Sequence, residues 1–298
     1  MEDRTDSFVD KMAQEPASRV AVVTVSYGSE AVLEDFLSTL NSASSVRPVL
    51  VIADNAPQDG ARVAALAAAA SGTYLPLEGN RGYGFAMNAG VETLPSTIEW
   101  ILLTNPDLTF EAGAIDRLVS AGDADPQIGA VGPAILSPDG SVYPSARAVP
   151  SLRTGIGHAL FANVWTDNPW TRAYRLNEQH ATRRDAGWLS GACLLVRREA
   201  FEALGGFDTA YFMYFEDVDL GYRMGKLGYR NVYEPSAAVI HIGGHSTGES
   251  ARMVRAHHDS ARRFLSRKYS GWALWPVRAG MSVALMLRSH ILARRGHA

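Results

Sequence analysis

The chain has 298 residues, 47% hydrophobic and 20% charged, with a formal net charge of −3 and a single cysteine. That apolar content supports a large core and excludes a disordered chain, while one cysteine excludes a disulfide framework. The charge is uneven: from Ala251 onward ten arginines or lysines face one acid, Asp259, so this segment carries +9 and the remainder −12.

Residues up to about Ser18 are polar and non-periodic and read as a disordered N-terminus, 1–18. The acidic start Met1-Glu-Asp-Arg-Thr-Asp6 lacks the pattern of a signal peptide, which places the protein in the cytoplasm. Arg19 to Tyr27 is a β-branched run ending at Gly28, as expected of a buried parallel strand. A helix is expected from about Glu30 to Leu40, a second buried strand over Pro48 to Ala53 capped by Asp54-Asn55, and an alanine-rich helix from about Asp59 to Ala70. A strand at Thr73 to Leu77, a helix from about Tyr83 to Val91 and a strand over Glu99 to Leu103 continue the alternation. Residues 19–107 therefore read as a parallel α/β half of nucleotide-binding type.

The loop Gly79-Asn80-Arg81-Gly82-Tyr83-Gly84 only partly matches a dinucleotide fingerprint. Met87 stands at the sixth position, and the loop belongs to the third βα unit, which argues against a nicotinamide site. Its glycines permit backbone N–H groups to approach a phosphate, with Arg81 adding charge, but a tight turn with glycine packing explains the same residues.

At the end of the next strand, Thr104-Asn105-Pro106-Asp107 leaves a carboxylate at the sheet edge where open α/β folds bind ligands. Hard divalent ions commonly use one or two carboxylates together with substrate phosphates. Asn-Pro-Asp is also ordinary turn chemistry, with Asp107 capping a helix near Glu111, and the local sequence leaves both open.

Beyond Asp107 a strand is expected over Ile128 to Leu136 and a hairpin turn at Ser137 to Ser141. Residues 144–186, rich in Pro, Arg and Trp, read as a lid or as a surface for a phosphorylated partner. Gly187 to Arg197 reads as one strand entering the site, with Gly191 allowing close approach and Cys193 a small core residue.

Phe215-Glu216-Asp217-Val218-Asp219-Leu220 sets three carboxylates in four residues beside the aromatic run 211–215. Helix N-termini favour acids, but acids against an apolar wall also have the raised pKa suited to proton transfer near neutral pH. The crowding of like charges favours the functional reading. Short strands are expected at Tyr229 to Tyr233 and Ala237 to Ile242, followed by His241 and His245 flanking Gly243-Gly244. Without a cysteine or H-x-E pattern these histidines make a poor zinc motif, which leaves His241 as a candidate second metal ligand.

The segment 251–298 reads as basic amphipathic helices. Between Gly271 and Arg288 the longest uncharged stretch, Ala279 to Leu287, is too short to span a bilayer. Trp272, Trp275 and flanking arginines suit a helix in an anionic membrane surface, although packing on the domain or oligomer formation would use the same residues. No nucleic-acid motif accompanies the charge, so nucleic acid is not an expected partner.

Six segments taken together, Thr24 to Tyr27, Asp54-Asn55, Asn80 to Asn88, Asn105 to Asp107, Gly205 to Asp208 and Phe215 to Leu220, resemble family 2 glycosyltransferases. The resemblance covers roughly residues 19–247 and is strongest to bacterial rhamnosyltransferases of cell-envelope assembly. It implies a GT-A domain over 19–250: an α/β, Rossmann-like and mostly parallel central sheet, followed by the C-terminal helices. It also implies a nucleotide-sugar donor, dTDP-L-rhamnose, and a polyprenyl-diphosphate-linked N-acetylglucosamine acceptor at the inner face of the cell membrane. By the same resemblance Ser26, Tyr27, Asp54, Asn80, Arg81, Gly82, Gly84, Asn105 and Asp107 would contact the donor, and Asp107 with His241 would hold Mg²⁺ or Mn²⁺. Asp217, or else Glu216, would be the base of an inverting transfer. Asn105 stands where many relatives carry an acid, which puts the strength of metal dependence in question. A sugar nucleotidyltransferase would share the fold, but Tyr27-Gly28-Ser29-Glu30 lacks the basic residue usual in its first loop. A non-catalytic assembly protein on the same fold would have no need to retain Asp107 and Asp217.

Overall fold

Alternate residues of β1 (Val20–Ser26) enter two different cores, which is why the strand reads as an unbroken apolar run. Val20 and Val22 pack with Leu33 and Phe36 on one face, and Ala21 and Val23 with Met87 and Val91 on the other. A sheet covered on both faces needs no polar alternation. The computed structural model describes residues 18–57, 60–151, 181–243, 251–276, 279–280 and 283. The expectations for the first seventeen residues, for the middle of the Pro, Arg and Trp-rich segment, for His245 and for the end of the basic segment fall outside these residues.

β1, β2 (Val49–Asp54), β3 (Thr73–Pro76) and β4 (Trp100–Thr104) are parallel neighbours. They alternate with α1 (Glu30–Ala43), α2 (Ala61–Ala69) and α3 (Tyr83–Glu92), so residues 19–107 form the expected half. Helices α1 and α2 cover one face and α3 the other.

The second half extends the same sheet. β5 (Leu108–Phe110) and α4 (Ala114–Asp123) lead to β6 (Ile128–Leu136) and the short β7 (Val142–Tyr143) and β8 (Ala146–Arg147). β9 (Arg184–Ala186), β10 (Trp188–Leu189), β11 (Cys193–Arg197) and β12 (Arg230–His241) complete the strands. The order across the sheet is β3-β2-β1-β4-β11-β6-β12-β5. β11 runs antiparallel to β4 and β6, while β12 runs parallel to β6. The hairpin turn is where expected, with the Ser137 N–H donating to the Ser141 carbonyl at 2.8 Å.

Two expectations are corrected, and two short elements were not foreseen. The single strand over Gly187 to Arg197 is two, β10 and β11, interrupted by a turn in which the Cys193 N–H reaches the Ser190 carbonyl at 3.3 Å. The two strands expected over Tyr229 to Ile242 are one twelve-residue strand, β12, whose register slips between Glu234 and Ala238, where Pro235 cannot donate to a ladder. The short β5 and a six-residue helix, Arg198–Ala203, went unrecognised because neither is long enough to show a period. Cys193 is buried as expected, and burial pushes its thiol up to about 12.

An acidic helix (Glu216–Lys226) lies over the second face. The basic helix (Ala251–Lys268) is docked against it, with Phe264 fully buried beside Tyr211 and Val218. The first eighteen residues of the basic segment, Ala251–Lys268, therefore pack on the domain, one of the arrangements left open above. Beyond them Trp272 and Trp275 are 87% and 63% exposed, and no helix among the described residues is long and apolar enough to cross a membrane.

Candidate active site

The register of the parallel strands aligns their carboxyl ends, with Ser26 opposite Asp54 and Thr24 opposite Thr104. Tyr27, Asn55 and Asn105 consequently emerge together at the edge where open α/β sheets bind ligands. They line a cleft of about 410 Å³ that Asn80, Tyr83, Asp107, Gly191, Glu216, Asp217 and His241 also face.

One wall is built by a change of direction. Asn105-Pro106 ends β4, and β5 turns back antiparallel to the end of β12, with Leu108 opposite His241. The Asp107 carbonyl accepts from the Ile242 N–H at 3.0 Å, and Oδ1 of Asp107 lies 3.1 Å from Nε2 of His241. No group of three or more His, Cys, Asp or Glu suited to a metal occurs among the described residues. The pair still fits Mg²⁺ or Mn²⁺, because such ions complete their shells with water and substrate phosphate oxygens. The imidazole is the softer of the two donors.

The glycine loop has a packing reason. A Cβ on Gly82, whose φ is 102°, would lie 2.2 Å from the Phe212 carbonyl oxygen, and the Tyr83 N–H donates to that oxygen at 3.1 Å. A Cβ on Gly84 would meet Phe207 at 2.8 Å. The Asn88 amide grips the same segment, accepting from the Phe207 N–H at 3.0 Å and donating to the Phe207 carbonyl at 2.9 Å. The glycines thus bring the 207–215 segment against the start of α3. Arg81 is exposed, its guanidinium 3.8 Å above the Phe85 ring.

That segment ends in two consecutive left-handed residues, Tyr214 and Phe215, with φ of 67° and 66°. Each such residue costs about 1–2 kcal/mol, a strain that persists only where the surroundings impose it. It aims the acidic helix at the cleft. Asp217 is half-buried at the floor, with Oδ2 accepting from the Gly191 N–H at 3.0 Å and Oδ1 from the Val218 N–H at 2.8 Å. Glu216 is buried, and its Oε2 has no hydrogen-bond partner. Burial first, and the charge of Asp217 second, push Glu216 up to about 8. Burial also raises Asp217, but the N–H groups of Gly191 and Val218 and the charge of Arg147 oppose it. The two carboxyls titrate as a pair, and the N–H donors on Asp217, which the Oε2 of Glu216 lacks, favour placing the charge on Asp217. The Tyr83 hydroxyl, donating to the Gly191 carbonyl at 2.6 Å, is raised by burial and then by these carboxylates, so it remains protonated.

The third acid has a different task. Asp219 is fully buried and paired with Arg223 Nε at 2.6 Å and an Arg267 guanidinium nitrogen at 2.7 Å. The three-acid motif divides into two groups at the cleft and one anchor behind it.

Of the candidates from the sequence, Tyr27, Asn80, Asn105, Asp107, Glu216, Asp217 and His241 meet in the cleft. Ser26, Asp54, Arg81, Gly82 and Gly84 do not line it. Asp54 instead accepts from the Ala56 N–H and the Tyr74 hydroxyl, both at 3.0 Å, so both of its oxygens are engaged within the sheet edge. Its neighbour Asn55 takes the cleft position and carries a buried Oδ1 with no partner. Asn55, Tyr83 and Tyr214 were missed: the first follows a charged residue that draws attention, and the aromatics read as helix and core. Met253 of the basic helix also lines the cleft, and nothing in its local sequence marks it.

A family model described as glycosyltransferase like family 2 matches residues 16–258. The N-acetylglucosaminyl-diphospho-decaprenol L-rhamnosyltransferase of Mycobacterium tuberculosis is 46% identical over 284 residues, covering 92% of each chain. Rhamnosyltransferase WbbL of Escherichia coli K12 is 27% identical, over 84% of this chain and 93% of its own. Among solved structures, the mannosyltransferase PcManGT from Pyrobaculum calidifontis, in complex with GDP-Man and Mn²⁺, has the same fold. Its TM-score is 0.57 at 18% identity, over 93% of this chain and 72% of its own.

Proposed function

The chain belongs to the family 2 glycosyltransferases of GT-A fold, and from that premise we propose that it transfers L-rhamnose from dTDP-L-rhamnose to a hydroxyl of N-acetylglucosaminyl-diphospho-polyprenol. In this reading it acts in assembly of the cell-wall arabinogalactan linker. The observation that carries the chemistry is the placing of Asp217 in one cleft with Asp107 and His241. The choice of sugar and acceptor rests on likeness to the mycobacterial rhamnosyltransferase along nearly the whole of both chains.

Asp217 accepts the proton of the acceptor hydroxyl as its oxygen bonds to the anomeric carbon and the sugar–phosphate bond breaks, the electron pair leaving on the diphosphate. A single displacement inverts the anomeric centre and needs no enzyme nucleophile. A divalent ion, Mg²⁺ or Mn²⁺, would be held by Asp107 with His241 and would neutralise charge developing on the departing diphosphate. Asp217 accepts from the Gly191 and Val218 N–H groups while the Oε2 of Glu216 has no donor, which favours Asp217 over Glu216 as the carboxylate that takes the proton. Asn55, Asn80 and Asn105 supply neutral hydrogen-bonding groups that orient the nucleotide and its sugar. The exposure of Trp272 and Trp275 after the basic helix supports a peripheral position on the inner face of the membrane, where a polyprenyl-linked acceptor would reside.

The test is incubation of the purified chain with Mg²⁺ or Mn²⁺, a panel of nucleotide sugars and a short-chain polyprenyl-diphospho-N-acetylglucosamine. The expected result is dTDP release with gain of one deoxyhexose on the glycolipid. Transfer from a different donor overturns the assigned sugar, and no transfer from any donor overturns the assigned acceptor.

A further inference from the structure

The basic helix makes four kinds of contact with the strained segment that delivers the acidic pair and with the residues flanking it. Ser260 Oγ donates to the Met213 carbonyl at 2.9 Å. The His257 ring lies edge-on to Tyr214 and Phe215, with centroids 5.4 Å from each. Phe264, fully buried, packs 5.8 Å from the Phe215 ring. One guanidinium nitrogen of Arg267 bridges two carboxylates, Asp219 at 2.7 Å and Asp208 at 3.1 Å. These residues, at 257, 260, 264 and 267, follow the three-and-four spacing of one helix face.

The grip falls where the strain is. Tyr214 and Phe215 are both left-handed, and the Phe215 carbonyl accepts the Asp219 N–H at 2.8 Å to begin the acidic helix. Of the cations paired with Asp219, Arg223 belongs to the same helix and joins it to the Leu204 and Gly206 carbonyls, whereas Arg267 joins it to the basic helix. Asp217 is two residues from Asp219 and shares its helical turn. Loss of the Arg267 tie weakens the hold on the strained segment and with it the alignment of Asp217 on the Gly191 N–H.

We propose that Arg267, supported by Ser260, is a positioning residue of the transfer reaction: it acts through Asp219 to hold the strained 213–215 segment and thereby the aim of Asp217. This rests on the reading of Asp217 as base. It makes the basic helix part of the catalytic apparatus, so that the element leading to the exposed tryptophans on one side holds the acceptor-activating carboxylate on the other.

The experiment compares full-length wild type, Arg267→Met and Arg267→Lys in two readouts. These are steady-state transfer with a soluble short-chain acceptor, and amide hydrogen exchange over residues 213–219. Because a single nitrogen makes both bridges, an ammonium is able to replace it. Arg267→Met is expected to lower kcat by about tenfold or more, leave the donor KM within about twofold, and speed exchange over 213–219 by about tenfold, and Arg267→Lys to restore most of both. Exchange over 213–219 equal to wild type in Arg267→Met, or a fall in kcat matched by a rise in donor KM, overturns the inference. If Arg267→Met loses protection throughout the chain, Ser260→Ala, which deletes one hydrogen bond, carries the same two readouts with the same criteria. A wild-type chain that transfers nothing to the acceptor defeats the proposed function alone, since the exchange comparison needs no substrate.

Discussion

The backbone N–H of Gly191 donates to Oδ2 of Asp217 at 3.0 Å, joining the turn between β10 and β11 to the first turn of the acidic helix. The Gly191 carbonyl in turn accepts from the Tyr83 hydroxyl at 2.6 Å, so three elements meet at one residue. A Cβ on Gly191 would come 3.4 Å from the Asp217 Cβ, which is ordinary contact, so here the backbone donor matters more than the missing side chain. The bond favours the ionised form of Asp217 and orients it, and Glu216 has no such donor on its Oε2.

Asp217→Asn and Glu216→Gln should therefore differ. The asparagine is not able to accept the hydroxyl proton, and kcat is expected to fall by about 10²–10⁴ with donor affinity retained. A glutamine resembles the protonated form that burial favours at Glu216, so its loss of kcat should be much smaller. Measuring both kcat values against nucleotide binding decides the assignment, and equal losses would contradict it.

Glu216 also predicts a pH dependence of stability. Its carboxyl, ordinarily near 4.5, is raised to about 8 in the folded chain by burial and by Asp217. Between those values the folded state binds more protons than the unfolded one, so this group contributes stability that is full below 4.5 and lost as pH rises through about 8. Urea unfolding at about pH 6 and about pH 9 should show wild type weakening relative to Glu216→Gln as pH rises. A constant difference between the two would show that the group does not titrate in that window.

Asp107→Ala should remove the carboxylate half of the metal pair, and His241→Ala the imidazole half. Calorimetric titration with dTDP in the presence of Mn²⁺ is expected to show weaker binding in both variants, more so for Asp107→Ala. In EDTA the variants and wild type should converge. Affinity that is unchanged by Mn²⁺ in wild type would contradict the assigned ligands.

Gly82→Ala is predicted to destabilise strongly, although the new group is only a methyl. Its Cβ would sit 2.2 Å from the Phe212 carbonyl oxygen at a φ of 102°. Backbone strain of this kind costs about 1–3 kcal/mol, and the clash with a backbone oxygen adds to it. A thermal midpoint within about 1 °C of wild type would refute the close approach.

Truncation after Lys268 should separate membrane contact from folding. Residues 251–268 pack on the domain, so removing them would expose Tyr211 and Val218 and confuse the result. A chain ending at 268 keeps that helix but loses Trp272 and Trp275. Cosedimentation with anionic vesicles should fall while the thermal midpoint is retained, and equal cosedimentation would assign the tryptophans another partner.

Much of the fold was legible because its elements are long and periodic. The strands around 20–26, 49–54 and 100–104 are mostly apolar, as expected of strands buried on both faces, and helices of nine to fourteen residues separate them. β5 and the helix at 198–203 were not legible, since three and six residues carry no period. In the candidate site, carboxylates could be recognised by type. Asn55 could not, because an asparagine after a strand is ordinary turn chemistry until its Oδ1 is found buried and without a partner.

By itself the sequence determined the alternating α/β architecture, the strand-end position of Asp107 and the crowding of acids at 216, 217 and 219. These depend on residue type and local spacing, which the chain carries whatever its surroundings. Only the tertiary structure decided that Asp219 is an anchor while Glu216 and Asp217 face the cleft, that Asp54 turns to Tyr74, and that Gly82 and Gly84 serve close packing. It also decided that the start of the basic segment is part of the domain, through Phe264, Ser260 and Arg267. Burial, charge pairing and close approach arise between residues far apart in the chain, and those contacts separate a carboxylate that moves a proton from one that holds a helix in place.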